Sequence, residues 1–194
     1  MTSLRWLSLP VRPDALGALA GAALLSAALP ASVCAATFAT PEDVAKRAFP
    51  AATSFKDVLV TPAPAEAAAL AAPGAMPRTG PVRTIEARQG DAVLGRVVVD
   101  AVVGKFELID YAVALDANAR VLAVEILTYR EGHGGEVRLP AWRNQFVGKT
   151  AADPLRIGAD IANISGATLS CTHVTDGVHR IVAWVATLPK AAAS

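Results

Sequence analysis

Val82-Arg83-Thr84-Ile85-Glu86-Ala87, then Gln89-Gly90-Asp91, then the valine-rich run from Val93 to Val103 is the stretch that decides the fold class. The first six residues alternate with the two-residue period of a strand that buries one face. Gln89-Gly90-Asp91 is a turn signal, and Gly95 inside the next run marks a candidate bulge. Working outward, Gly104-Lys105 marks another turn, and Phe106 to Leu115 reads as a strand buried on at least one face. Asp116-Ala117-Asn118-Ala119 turns the chain again, and Val121 to Thr128 is the next strand. Strands joined by such short turns predict an antiparallel meander.

Helical signals flank the meander. Pro41-Glu42-Asp43 places proline and acids where a helix begins, so a short helix is expected over Val44 to Phe49, stopping near Pro50. Phe55 to Val60 is a candidate strand, and the Ala/Pro-rich stretch from Pro62 to Pro77 reads as either helix or loop. Trp142, Gln145 and Phe146 share one face of a short helix, with core packing as their simplest role. Val174, Val178, Ile181, Val182, Val185 and Leu188 recur at helical spacing, which predicts a last helix ended by Pro189. Thr175, Asp176 and Arg180 are expected on its other side. The sum is an α+β fold, a small, mainly antiparallel sheet with packed helices.

The first 36 residues have a different character. Arg5 and Arg12 precede an apolar run from Ala15 to Leu29, then Pro30 and the small residues Ala31 to Ala36. This is the pattern of a secretory signal peptide, and the run is shorter than the ~20 residues of a membrane span. An uncleaved anchor and a lipid-bearing Cys34 are the alternatives, the latter disfavoured by Val33. The expected organisation is signal peptide 1–36, lead-in 37–81 and main domain 82–194. The leader is more apolar than the chain's 53% average, so that average does not by itself mark the remainder as a membrane protein. The leader holds two basic residues and one acid of the chain's 18 and 17, so the remainder is balanced in charge. Balance argues against a nucleic-acid partner, which selects a basic excess.

Chemistry concentrates in two places. Gly132-His133-Gly134-Gly135 breaks the meander; such glycines let backbone approach a ligand, or serve a simple turn. Ser165-Gly166-Ala167-Thr168 sets small residues before the last helix, where free N–H groups and the dipole favour a phosphate. Ordinary capping is the plainer use of such residues. Thr168 presents a hydroxyl there, able to hydrogen-bond a phosphate or be esterified to one. Cys171 and His173 are too few ligands for zinc, and packing or capping suits them better; a thiol near a helix start is expected to have a lowered pKa. His133 reads as a solvated loop histidine, and Glu131 either as a ligand contact or as a loop support. Glu136 and Arg138 are expected as solvent-facing strand charges. No Gly-x-Ser-x-Gly or His-Glu-x-x-His motif is present.

Ser165-Gly166-Ala167-Thr168-Leu169-Ser170 resembles the Ser-Gly-Ala-Thr-x-Ser/Thr signature of the FMN-binding domain family. That family includes components of the sodium-translocating NADH:quinone reductase and of the Rnf complex, together with stand-alone exported proteins. Tyr129-Arg130-Glu131 with Gly134-Gly135 resembles the family's Glu-Thr-Pro-Gly-Leu-Gly loop, and Trp142, Phe146, Gly148 and Lys149 resemble the stretch after it, so the likeness runs from about Gly90 to Leu188. The resemblance implies FMN as cofactor, joined to Thr168 by a phosphoester that an ApbE-type FAD:protein FMN transferase installs. It implies Ser165, Gly166, Ala167, Leu169, Ser170, Glu131, Gly134 and Gly135 as cofactor contacts. It further implies an exported electron carrier with membrane or exported redox partners. A non-covalent FMN module and a flavin-dependent reductase of a small substrate are the alternatives. Two departures stand out. Ala162 occupies a position where the family often has Asp, with Asp160 two residues earlier, and the loop has Gly132-His133 in place of the family's proline.

Overall fold

The computed structural model describes residues 36–64, 66 and 80–188; the signal-peptide expectation and most of Pro62 to Pro77 lie outside them. Six strands form one antiparallel sheet in the order β1-β6-β5-β4-β3-β2. They are β1 (Ala36–Thr37), β2 (Ser54–Val60), β3 (Val82–Gln89), β4 (Ala92–Val103), β5 (Leu108–Asp116) and β6 (Val121–Tyr129). The helices are α1 (Pro41–Ala48), α2 (Pro140–Arg143) and α3 (Thr168–Thr187). The fold is α+β, as the alternation between Val82 and Thr128 predicts. The lead-in, together with Ala36, supplies strands β1 and β2 to the same sheet and helix α1 against it, with β2 paired along its whole length to β3.

Alternation along β5 shows how the sheet buries both faces. Ile109, Tyr111, Val113 and Leu115 point into a core with α3, while Ala112 and Ala114 point to a second core under α1. In α1, Thr40 caps the first turn by accepting from Asp43 N at 3.2 Å, and Val44 and Ala45 are buried. Phe49 reaches the sheet at Gly95, where a side chain would collide with its ring and with Leu115 O. The bulge expected at Gly95 is present beside it: Ala87 pairs with Gly95 but Arg88 with Val93, leaving Leu94 as the extra residue.

Strand β6 carries two further irregularities. Its pairing with β5 skips Leu122 and Leu127. Each inserted residue reverses the in-out phase. Val121, then Val124 and Ile126, then Tyr129 therefore all face the α3 core, although their spacing is not even. Without the second bulge Tyr129 would point away from α3.

Four expectations need correction. Thr175 and Arg180 are buried, because α3 is covered by the sheet beyond its apolar stripe: Thr175 Oγ1 donates to Cys171 O at 2.7 Å, and Arg180 pairs with Asp100 on β4. Glu136 and Arg138 lie in a single 3-10 turn, Gly135–Arg138, and not in a strand, because left-handed Gly134 has already turned the chain. Strand β5 begins at Leu108, so Phe106 belongs to the turn before it. The Cys171 thiol is pushed up, not down, because burial outweighs a backbone hydrogen bond from Ile164, in the loop before the helix.

Candidate functional site

Tyr129, the last residue of β6, fastens the glycine loop to the start of α3. Its hydroxyl donates to His133 O at 2.5 Å and lies 3.2 Å from Ser170 Oγ in the first turn of α3. Gly134 fills the space between. It has φ +80°, and a Cβ there would sit 2.9 Å from Tyr129 Oη and 3.2 Å from Ser170 Oγ. Both the backbone conformation and the close approach require glycine. The glycine loop is thus pressed against the start of α3.

That helix start is open. Ala167 is the N-cap and carries no side-chain cap, and the first turn has no acid. Gly166 precedes it with φ +84°, and a Cβ there would meet nothing within 4 Å. Backbone N–H groups at an uncapped helix end seek an acceptor from outside the helix, and the dipole favours an anion. Thr168, exposed, is the first helical residue, and Asn163 Nδ2 donates to its Oγ1 at 3.1 Å. That bond leaves the threonine O–H free of an acceptor from Asn163.

Two cavities, of about 450 and 580 Å3, flank the glycine loop and share Glu131 to Gly134 and Gly166 as walls. Both fall within the ~300–1,000 Å3 common for ligand pockets. The larger continues over Ala167, Thr168, Leu169 and Ser170 to Lys105 and Phe106. The smaller extends over Tyr129, Gly135, Arg138, Leu139 and Ser165. The residues drawn from the two sequence segments, Glu131 to Gly135 and Ser165 to Ser170, therefore meet around one loop. Leu169 is 46% exposed and Phe106 75% exposed, which gives the larger cavity an apolar rim.

Glu131 supports structure at this point. Its Oε1 accepts from Phe106 N at 2.6 Å and Glu107 N at 2.9 Å, in the turn between β4 and β5. Burial pushes its carboxyl up, but these backbone donors and the nearby Lys105 charge outweigh that and hold it below the usual range. Arg138 donates from Nε to Gly135 O at 2.8 Å and lies over the Phe38 ring. His173 has Nδ1 on the Val103 carbonyl, so its role is to tie α3 to the same turn. Among the described residues no group of three His, Cys, Asp or Glu side chains comes together as a metal site.

The Ala162 departure has a structural context. Trp142 Nε1 donates to Ala162 O at 2.7 Å, and Ala162 N donates to Gln145 Oε1 at 2.8 Å, so the shared face of Trp142 and Gln145 grips this backbone. Asp160 does not take the place of an acid at 162. Its carboxylate accepts from Arg156 N at 2.9 Å and pairs with Lys149 Nζ at 2.9 Å. Burial raises its pKa, but those partners win and hold it low. Sequence reasoning missed Lys105, Phe106, Tyr129 and Asn163 as parts of the site. Tyr129 was hidden by the β6 bulges, and a lone asparagine five residues before Thr168 carries no motif.

Comparison with curated proteins gives no match. Residues 104–183 match the family model of the FMN-binding domain. That span begins at the β4–β5 turn and runs through the glycine loop, Thr168 and most of α3, so it encloses both cavities. The chain is a flavin-binding protein that carries an FMN-binding domain, with FMN as its cofactor.

Proposed function

We propose that this chain is an exported flavoprotein in which Thr168 carries FMN through a phosphoester, and that it relays electrons between redox partners at the outer face of the membrane or in the periplasm. The observation that carries the reading is the position of the Thr168 hydroxyl. It stands exposed at an uncapped helix N-terminus, on the wall of a cavity large enough for a ligand. The uncapped N–H groups of the first turn suit a phosphate, and Gly166 keeps the approach clear of side chains. Asn163 holds the hydroxyl oxygen in place.

In the attachment step the Thr168 oxygen bonds to the FMN-side phosphorus of FAD. The pyrophosphate P–O bond breaks, AMP leaves and the hydroxyl proton passes to a base or to solvent. An ApbE-type transferase is the proposed catalyst and partner. Bound FMN supplies the redox chemistry, while the protein supplies placement and electrostatics. A covalent tether keeps the cofactor from being lost by dilution outside the cell, which fits the signal-peptide pattern of residues 1–36.

The test is to produce the chain with and without the transferase, denature it and separate protein from small molecules. Yellow colour that stays with denatured protein only after co-production is expected. Colour that leaves with the small molecules would replace this reading with a non-covalent FMN module. Turnover of a small substrate without any protein partner would favour a reductase.

A further inference from the structure

We propose that Phe106 is a contact for the flavin ring and that Glu131 is the residue that positions it. The inference rests on FMN occupying the larger cavity. Phe106 sits at the tip of the β4–β5 hairpin, 75% exposed on the rim of that cavity. A single exposed apolar residue is ordinary. The backbone beneath this one is not ordinary, because it is pinned from several sides.

Gly104 N donates to Glu107 O at 2.8 Å, closing the turn. Glu131, at the base of the glycine loop, accepts from Phe106 N and Glu107 N through one oxygen. A Cβ on Gly104 would lie 2.6 Å from that same oxygen, so the turn is built around the carboxylate. From α3, His173 Nδ1 meets the carbonyls of Val103 and Gly104. From the other side, Arg130 Nη1 donates to Leu108 O at 3.1 Å. A solvated hairpin tip needs none of these contacts. Together they fix the position of an aromatic ring left largely open to solvent, with Lys105 Nζ 4.9 Å from its centroid. Thr168 and Leu169 face the same cavity. A planar aromatic ligand tethered there finds an aromatic partner already held in place, the arrangement that ring-ring contact prefers and that lowers the ordering cost of binding.

The test uses flavin-loaded protein, made with the transferase or, if the flavin proves non-covalent, by adding FMN. An indole ring touching a flavin quenches its fluorescence by donating an electron to the excited state. Phe106→Trp should lower flavin fluorescence several-fold. Leu59→Trp, at a 69% exposed position on edge strand β2, should leave it unchanged. In the Phe106→Trp background, Glu131→Ala should restore the fluorescence. Glu131→Gln should keep it quenched, because its amide oxygen still accepts from both N–H groups. A Phe106→Trp protein as bright as the parent overturns the ring contact. Quenching that survives Glu131→Ala, with circular dichroism unchanged, overturns the positioning role. A chain that takes up FMN by neither route overturns both the inference and the reading beneath it.

Discussion

The start and the middle of helix α3 treat polar groups in opposite ways. In the middle of the helix, Arg180 and Asp100 are each 2% exposed and paired with one another. Asp100 also accepts from Tyr111 Oη at 2.9 Å and from Ala101 N at 2.8 Å. Burial, reinforced by the Asp100 charge, pushes the Tyr111 phenol well up, so it stays protonated and donates. Gly177 makes this possible, since any side chain there would collide with the Tyr111 hydroxyl. At the near end, Thr168 is exposed, no side chain caps the helix, and a cavity opens beside it. One helix on one sheet thus separates two tasks. Where the charged groups pair with each other inside the protein they are closed to ligands; where the backbone is left uncapped beside glycines, a ligand has something to complete.

Breaking the buried pair in the middle of α3 should give the largest effect on stability. Arg180→Ala breaks the buried ion pair with Asp100, which typically costs about 3–5 kcal/mol. Urea denaturation of the purified variant should show that loss; a loss under one kcal/mol would mean the carboxylate reaches water. Next comes the seam between the glycine loop and α3. Gly134→Ala forces a Cβ into a left-handed residue and against Tyr129, an expected loss of about 1–3 kcal/mol, together with reduced FMN loading. Unchanged loading and stability would show that the loop can shift without consequence. Tyr129→Phe removes the bond to His133 O and leaves Ser170 without that partner, for about 1–2 kcal/mol in the same denaturation assay.

A pH series sharpens the comparison from the near end. The folded pKa of Glu131 is depressed, so its contribution is fully present above the unfolded value, about 4.3 for glutamate, and is lost as pH falls through the lower folded value. The Phe106 and Glu107 amide resonances should hold steady through mild acid and move only below the ordinary glutamate range. Movement at or above that range would mean the carboxylate is not held by these donors. Thr168→Ala should change stability least, within ~0.5 kcal/mol, as expected of an exposed position that caps nothing.

Much of the buried cluster in the middle of α3 was hidden in the sequence while much of the near end was legible. The alternation from Val82, the glycine cluster after Glu131 and the Ser165–Thr168 block announced themselves through local pattern. Arg180 did not, because a buried arginine looks like a surface one until its partner, 80 residues away on β4, is known. The bulges at Leu122 and Leu127 shift the alternation, so the even period of Val124 and Ile126 pointed Tyr129 outward. Glu131 was visible as a site residue, but its role depends on a turn 25 residues upstream. Local signals name the segments; long-range pairing assigns the work within them.

The central claim is that FMN is bonded to Thr168 at the open end of α3. Peptide mass mapping of the chain co-produced with an ApbE-type transferase tests it most directly. The peptide containing Thr168 should gain the mass of FMN less water, and Thr168→Ala protein, still folded, should gain none. An unmodified Thr168 peptide from yellow protein, or the same added mass on another residue, would contradict it.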